Sequence, residues 1–332
     1  MSTVKANIVA PLGYTGPNLP GDNNFVQVVD TTGDTIIKLP GNDNAAIGKD
    51  ALNSNTTGAR NIAIGTSALQ SNTTAVSNIA IGWEAMKDST NKQNSVAVGY
   101  RALKAGASGS VAVGYLAAAN SVNSVVAIGT LSLSNTTGTS NTGVGVQTGY
   151  QFTTGSENSF FGFLAGSGNL TAGSKNTCIG AASGVSIDGD NNTCIGYNAQ
   201  VSGGGVSNEF ILGDANIAVL SCAQTTITSL SDARDKKEVE ELPVGLSFVQ
   251  KLKPVKFVWD DRNEEGKHDI KDFGFIAQDL KAAQEEEGVA DYLKLVYEAN
   301  PEKLQASYGK LIPVLVKAIQ ELSEEVKQLK SK

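Results

Sequence analysis

A short apolar-then-glycine pair recurs through much of this sequence, and no other feature restricts the possible folds as strongly. The pairs fall at Ile47-Gly48, Ile64-Gly65, Ile81-Gly82, Val98-Gly99, Val113-Gly114, Ile128-Gly129, Val144-Gly145, Phe161-Gly162, Ile179-Gly180, Ile195-Gly196 and Leu212-Gly213, with successive glycines 15 to 18 residues apart. Asn stands four positions before the glycine in seven units (Asn44, Asn61, Asn78, Asn141, Asn158, Asn176, Asn192), and a small residue such as Ala51, Ala68, Ala85, Ala102, Ala117 or Ala165 follows three positions after it. A period near 17 is too short for a helix pair with its turns. It suits one coil of a parallel β-solenoid, with two short strands and two bends expected in each coil. The residue before each glycine should then stack on its equivalents above and below, Ala should fill the narrow interior, and glycine should sit where a Cβ would clash. Asn is placed to bond neighbouring backbone or to form a ladder along the axis. Eleven coils at about 4.8 Å each predict a rod on the order of 50 Å long.

The composition changes abruptly near Ser231. Residues 1–230 hold 9 of the 26 Lys and Arg, 12 of the 33 Asp and Glu and 31 of the 36 Gly, so the last 102 residues are charge-rich and glycine-poor. A break this sharp marks a domain boundary. The expected organisation is an amino-terminal segment over 1–40, a solenoid over 41–220, a linker over 221–230 and a carboxyl-terminal domain over 231–332. The net charge of -7 excludes a broadly basic nucleic-acid binder. No run approaches the 18 or more apolar residues of a membrane span, so membrane insertion is not expected. MSTVKANIVAPLGYTGPNLP shows no charged region followed by an apolar core, which disfavours a secretory leader. Cys178, Cys194 and Cys222 are too few for a disulfide scaffold and predict a reduced state.

Several motifs in the repeat invite chemistry and decline it. GNDNAAIGKD has six residues between its glycines and Asp50 after Lys49, where a phosphate loop needs four and a Ser or Thr. Asp188 and Asp190 lack the rest of a calcium ligand set and read as a polar turn. Cys178 and Cys194 replace Ala two positions before the rung glycine and should stack as fillers. Phe160, Phe161 and Phe163 read as core or subunit contact rather than a sugar platform. A hexapeptide-repeat acyltransferase would need an aliphatic residue every six positions, and Gly58 and Gln70 flank Ile64 at that spacing. No cofactor and no metal are expected.

The Asn-x-Ala-Ile-Gly unit over residues 41 to 216 resembles the head repeats of trimeric autotransporter adhesins, which implies a parallel β-roll with three chains side by side. The segment after it opens with Ser231-Asp232-Ala233-Arg234-Asp235-Lys236, continues through Gly274-Phe275-Ile276-Ala277-Gln278-Asp279, and closes with Tyr308-Gly309-Lys310-Leu311-Ile312-Pro313 and a long helix. This order of motifs resembles the self-cleaving intramolecular chaperone domain of phage tailspikes, tail fibres and endosialidases, also found in myelin regulatory factor. The resemblance implies a catalytic dyad at Ser231 and Lys236. A serine hydroxyl needs a base, and lysine serves only when neutral, for which burial or the neighbouring Arg234 cation is expected. Attack by Ser231 on the carbonyl of Leu230 closes a five-membered ring, so Leu230-Ser231 is the expected scissile bond. His268, the lone histidine, is placed in a polar loop before the Gly-Phe-Ile-Ala-Gln run, as an aid to proton transfer, an oxyanion donor or a surface residue.

The last segment carries apolar residues at Tyr308, Ile312, Leu315, Ile319, Leu322, Val326 and Leu329, a heptad seam flanked by Glu321, Glu324, Glu325 and Lys327. The expected fold is therefore mainly β, a solenoid of about eleven coils followed by a small α+β domain ending in a coiled-coil helix. The expected function is that of a homotrimeric bacteriophage tail fibre or host-attachment protein, assembled in the host cytoplasm and carried on the virion tail. Its expected partners are other virion tail proteins and a host-surface receptor, glycan or protein. A bacterial cell-surface adhesin is the alternative.

Overall fold

The computed structural model describes residues 27–29, 35–38, 42–168, 172–217, 219–221, 223, 231–260, 268–302 and 304–332. Most of the segment over 1–40, together with Cys222 and Leu230, lies outside them. The chain packs as two compact units, Met1–Asp214 and Ala215–Lys332. In the first, an antiparallel hairpin of β1 (Gln27–Val29) and β2 (Thr35–Lys38) pairs antiparallel with β3 (Ala45–Ile47). From β3 onward every strand is parallel to its neighbour: β4 (Ile62–Ile64), β5 (Ile79–Ile81), β6 (Val96–Val98), β7 (Val111–Val113), β8 (Val125–Ile128), β9 (Asn141–Val144), β10 (Ser159–Phe161), β11 (Thr177–Ile179), β12 (Thr193–Ile195) and β13 (Phe210–Leu212). Equivalent residues pair in register, Ile47 with Ile64, Ile64 with Ile81 and Cys178 with Cys194. This is the parallel β-solenoid of eleven coils that the repeat predicts.

Among the described residues each coil holds one strand, not the two expected. After the strand glycine the chain turns through left-handed residues two and four positions on, such as Glu84 (φ 54) and Met86 (φ 51), or Arg101 (φ 52) and Leu103 (φ 49). Alternating left-handed residues cannot extend, so the second side of the coil is a run of turns. The glycine itself has no substitute. At Gly82 φ is +135, and an added Cβ would stand 2.3 Å from the carbonyl oxygen of Gly99 in the next coil.

The Asn positions form the expected ladder. Asn44 Oδ1 accepts the backbone N–H of Asn61 at 2.9 Å, and Asn61 Oδ1 accepts that of Asn78 at 3.0 Å. The Nδ2 groups of Asn61 and Asn78 cross the coil to the carbonyls of Ala75 and Lys92, each at 2.8 Å. These amides are buried, and the bonds satisfy bend carbonyls that turn toward the interior, that of Ala75 within the buried core. Where the glycine spacing falls to 15, Ser95 and Ser110 stand in the Asn position. The bend then comes closer, and Ser95 Oγ reaches the equivalent carbonyl, that of Ala107, at 2.6 Å.

The interior follows one rule in the first six coils and another later. Ala46, Ala63, Ala80, Ala97, Ala112 and Ala127 occupy the strand centre, with Leu52, Leu69, Met86, Leu103 and Leu133 filling the space in five of these coils and Ala118 in that of Ala112. From β10 the bulk moves to the strand. Phe160 and Cys178 replace Ala, and Gly166 and Gly184 stand where the first coils have Leu or Met. A Cβ on Gly166 would lie 2.5 Å from the Phe160 ring, and one on Gly184 would lie 2.3 Å from Cys178 Sγ. The hydrogen-bonded contact with Cys194, and then burial, push the Cys178 thiol up, so it remains protonated filler. Asp188 and Asp190 accept backbone N–H groups from Ala172 and Ser174 of the preceding coil, as turn residues do. Phe161 and Phe163 face outward, as do Trp83, Tyr100 and Tyr115, whose rings stack at 4.8 and 5.0 Å on three consecutive coils.

The second unit is α+β. Helix α1 (Leu246–Lys251) leads to an antiparallel hairpin of β14 (Val255–Asp260) and β15 (His268–Gly274). Helices α2 (Ala277–Glu286) and α3 (Ala290–Leu293), a small β16 (Val296–Tyr297) and β17 (Gln305–Ala306) pair, a 3-10 turn at Tyr308–Lys310 and the long α4 (Leu311–Lys330) follow. Phe248, Leu280, Leu293, Leu295, Leu311 and Val314 form its core. The α4 face carrying Ile312, Leu315, Ile319, Leu322, Val326 and Leu329 is exposed.

Candidate active site

Ser231 and Lys236 flank a single turn of 3-10 helix, Ala233–Asp235. Asp232 is its N-cap, and its carboxylate accepts the Arg234 N–H at 2.9 Å. The Asp235 N–H bonds the carbonyl of Asp232 and the Lys236 N–H bonds that of Ala233, both at 3.2 Å. Lys236 leaves the turn extended, which returns Nζ to within 2.7 Å of Ser231 Oγ and 3.2 Å of the Ser231 carbonyl oxygen. The pair is thus adjacent in space, with all six residues of the loop exposed.

Two features differ from expectation. Lys236 is exposed in the single chain, not buried. The Arg234 cation, expected to act on Lys236, is engaged by Asp232, with Nη2 at 2.6 Å from Oδ2 and Nε at 3.1 Å from both oxygens. That pairing holds the Asp232 carboxyl below the usual carboxylate range and raises Arg234. An ammonium at Lys236 donates to Oγ; a neutral amine on the same line takes the Oγ proton, the step a serine nucleophile needs.

His268 does not sit in a loop. It begins β15, opposite Asp260 in the hairpin, because the residues from 268 onward have found a partner strand; its imidazole lies outside the described residues. Leu230, the other half of the expected scissile bond, is also outside them. The Gly-Phe-Ile-Ala-Gln run joins β15 to α2, where the Tyr308 hydroxyl accepts the Phe275 N–H and donates to the Phe275 carbonyl, both at 3.1 Å. Gly274 leaves the space for that hydroxyl, 2.7 Å from where a Cβ would stand. Tyr308 therefore bolts the domain internally and is not the first residue of the seam. Glu321 likewise leaves the seam's flank: Oε2 accepts the Leu246 N–H at 2.6 Å and caps α1 from α4. The sequence carries no signal for either tie, since the partners are 33 and 75 residues apart. The cap at Asp232 had a local signal, an Asx residue directly before a short polar turn.

The geometry places a lysine amine against a serine hydroxyl in an exposed loop near the start of the α+β unit. Residues 231–289 match the model of a peptidase family described as chaperone of endosialidase. That family implies autoproteolytic, chaperone-type activity, and the match together with the solenoid fits a phage tail fibre that ends in such a chaperone. No curated protein and no solved structure matches the chain. Among the described residues no helix is long and apolar enough to cross a membrane, and no three His, Cys, Asp or Glu side chains gather as a metal group.

Proposed function

We propose that this chain is a homotrimeric tail-fibre or host-attachment protein of a bacteriophage whose carboxyl-terminal unit drives assembly and then releases itself. The observation that carries the reading is the 2.7 Å approach of Lys236 Nζ to Ser231 Oγ at the first residues of the segment that matches the chaperone family. Neutral Lys236 takes the Oγ proton while Oγ attacks the Leu230 carbonyl carbon. The proton passes to the departing amide nitrogen, which becomes the amino group of Ser231, and Leu230 is left as an ester on Oγ. Water hydrolyses the ester, restoring the Ser231 hydroxyl and leaving a carboxylate on Leu230. Exposure of Lys236 in one chain fits a reaction that waits for assembly, because desolvation by neighbouring copies would favour the neutral amine. The exposed apolar face of α4 and the outward row of Ile47, Ile128, Phe161 and Ile179 support three copies packed side by side. The assembled fibre belongs on the virion tail, with other tail proteins at one end and a glycan or protein receptor on the host surface as its target.

Intact mass of freshly expressed chain tests the reading. Wild type yields fragments of residues 1–230 and 231–332, and Ser231→Ala and Lys236→Ala remain whole. Normal processing in Ser231→Ala removes the dyad from the mechanism, whereas a bond on the other side of Ser231 removes only the assignment of Leu230.

A further inference from the structure

We propose that Asp232 is a positioning residue of the dyad, whose carboxylate fastens the turn that brings Lys236 Nζ onto Ser231 Oγ. The inference rests on the self-cleavage reading above. A lysine five residues after a serine has no intrinsic reason to return to it, because its side chain and the intervening backbone permit many separations. The turn produces the return. Asp232 has extended backbone (φ -66, ψ 134), so its carboxylate lies over the first amides of the turn and accepts the Arg234 N–H at 2.9 Å. The Arg234 guanidinium grips the same carboxylate from the side, at 2.6 and 3.1 Å, and fixes its rotamer. One side chain thereby ties a backbone amide and a second side chain within the loop that the dyad closes. The loop's six residues are all exposed and none of them joins the buried cluster of the unit, so local bonds of this kind set how much of the time it is closed.

Cap chemistry separates this role from others. Asn accepts the amide as well as Asp does, and Ala cannot accept it. Gln is polar and of similar bulk but is not among the residues that bond their own following backbone in this way. A carboxylate acting through its charge, or as the base, would be lost in Asn and Ala alike.

The test follows cleavage of pulse-labelled full chain over time across a pH series, with oligomeric state read by light scattering. Asp232→Asn should cleave within about twofold of wild type, and Asp232→Ala and Asp232→Gln about tenfold more slowly. All three should assemble normally and keep the shape of the pH–rate profile, since Lys236 still takes the proton. Wild-type rates in Ala and Gln overturn the proposal, as does Asn as slow as Ala or a displaced profile in Asn. Loss of assembly in both Ala and Gln overturns it too, because the residue would then hold the fold and not the dyad. An uncleaved wild type sinks the self-cleavage reading and this proposal with it; cleaved wild type beside normal Ala sinks the positioning role alone.

Discussion

Phe160 and Gly166 share one small volume inside the solenoid, and neither is interchangeable with its counterparts in the earlier coils. Gly166→Ala drives a Cβ to 2.5 Å from the Phe160 ring at a φ of +60, so the ring must leave its rotamer or the coil must open. Gly109 has a similar φ, +66, but the nearest atom to its Cβ is Ser124 Oγ at 3.7 Å. Gly166→Ala should therefore cost about 2–4 kcal/mol, the overpacking and left-handed penalties together, and Gly109→Ala about 1 kcal/mol from the second alone. Equilibrium denaturation of the two variants against wild type measures the difference, and equal losses would place the whole cost in the backbone. The spacing of Ile-Gly pairs made the coils and the Asn ladder legible, because both depend on one residue type at one position. The exchange of bulk between strand centre and turn was not legible, since it joins positions that only the folded coil brings together.

At the scale of elements, α4 divides its apolar residues between two duties. Leu311, Val314 and Ala318 are buried in their own unit, while Ile312, Leu315, Ile319, Leu322, Val326 and Leu329 remain exposed. The heptad spacing identified the second set. It also took in Tyr308 and Glu321, which the fold uses for internal ties at Phe275 and Leu246. Sequence periodicity reports a stripe and not what covers it, so a residue at the right spacing with a distant hydrogen-bond partner is misread. Ile319→Asp with Leu322→Asp places charge only where a partner helix would bury it, at several kcal/mol per chain in a dry seam. Helical content by circular dichroism should stay near that of wild type, while light scattering of Ser231→Ala chains carrying the pair should fall from a trimer to a monomer mass. A trimer that survives would move the assembly contacts elsewhere.

For the whole molecule, the solenoid edges are unequal. The antiparallel hairpin of β1 and β2 covers the first coil and ends parallel growth there. Strands of three or four residues gain little until neighbours stack, so formation of the rod needs a nucleus, and the charge-rich unit after Ser231 is proposed to supply it. Residues 1–230 expressed alone should aggregate, whereas matured fibre freed of the tail should stay trimeric in detergent on heating and fail to reform after denaturation. Electrophoresis of heated and unheated samples reads both arms; soluble, heat-resistant trimers from residues 1–230 alone in normal yield would contradict the chaperone role. The change of interior at Phe160 has a genetic corollary. Between Asn44 and Asn78 one coil is nearly a copy of the next, Ala over Ala and Leu52 over Leu69, so a duplicated 17-residue unit would meet the same neighbours its parent meets. The same duplication around Phe160 would stack a second Phe on the first at the strand centre, where the neighbours are now the small Gly143 and Cys178. Unequal recombination should therefore change the reach of this protein in steps of about 4.8 Å near its amino-terminal end, while the coils from Gly143 to Gly184 keep their number.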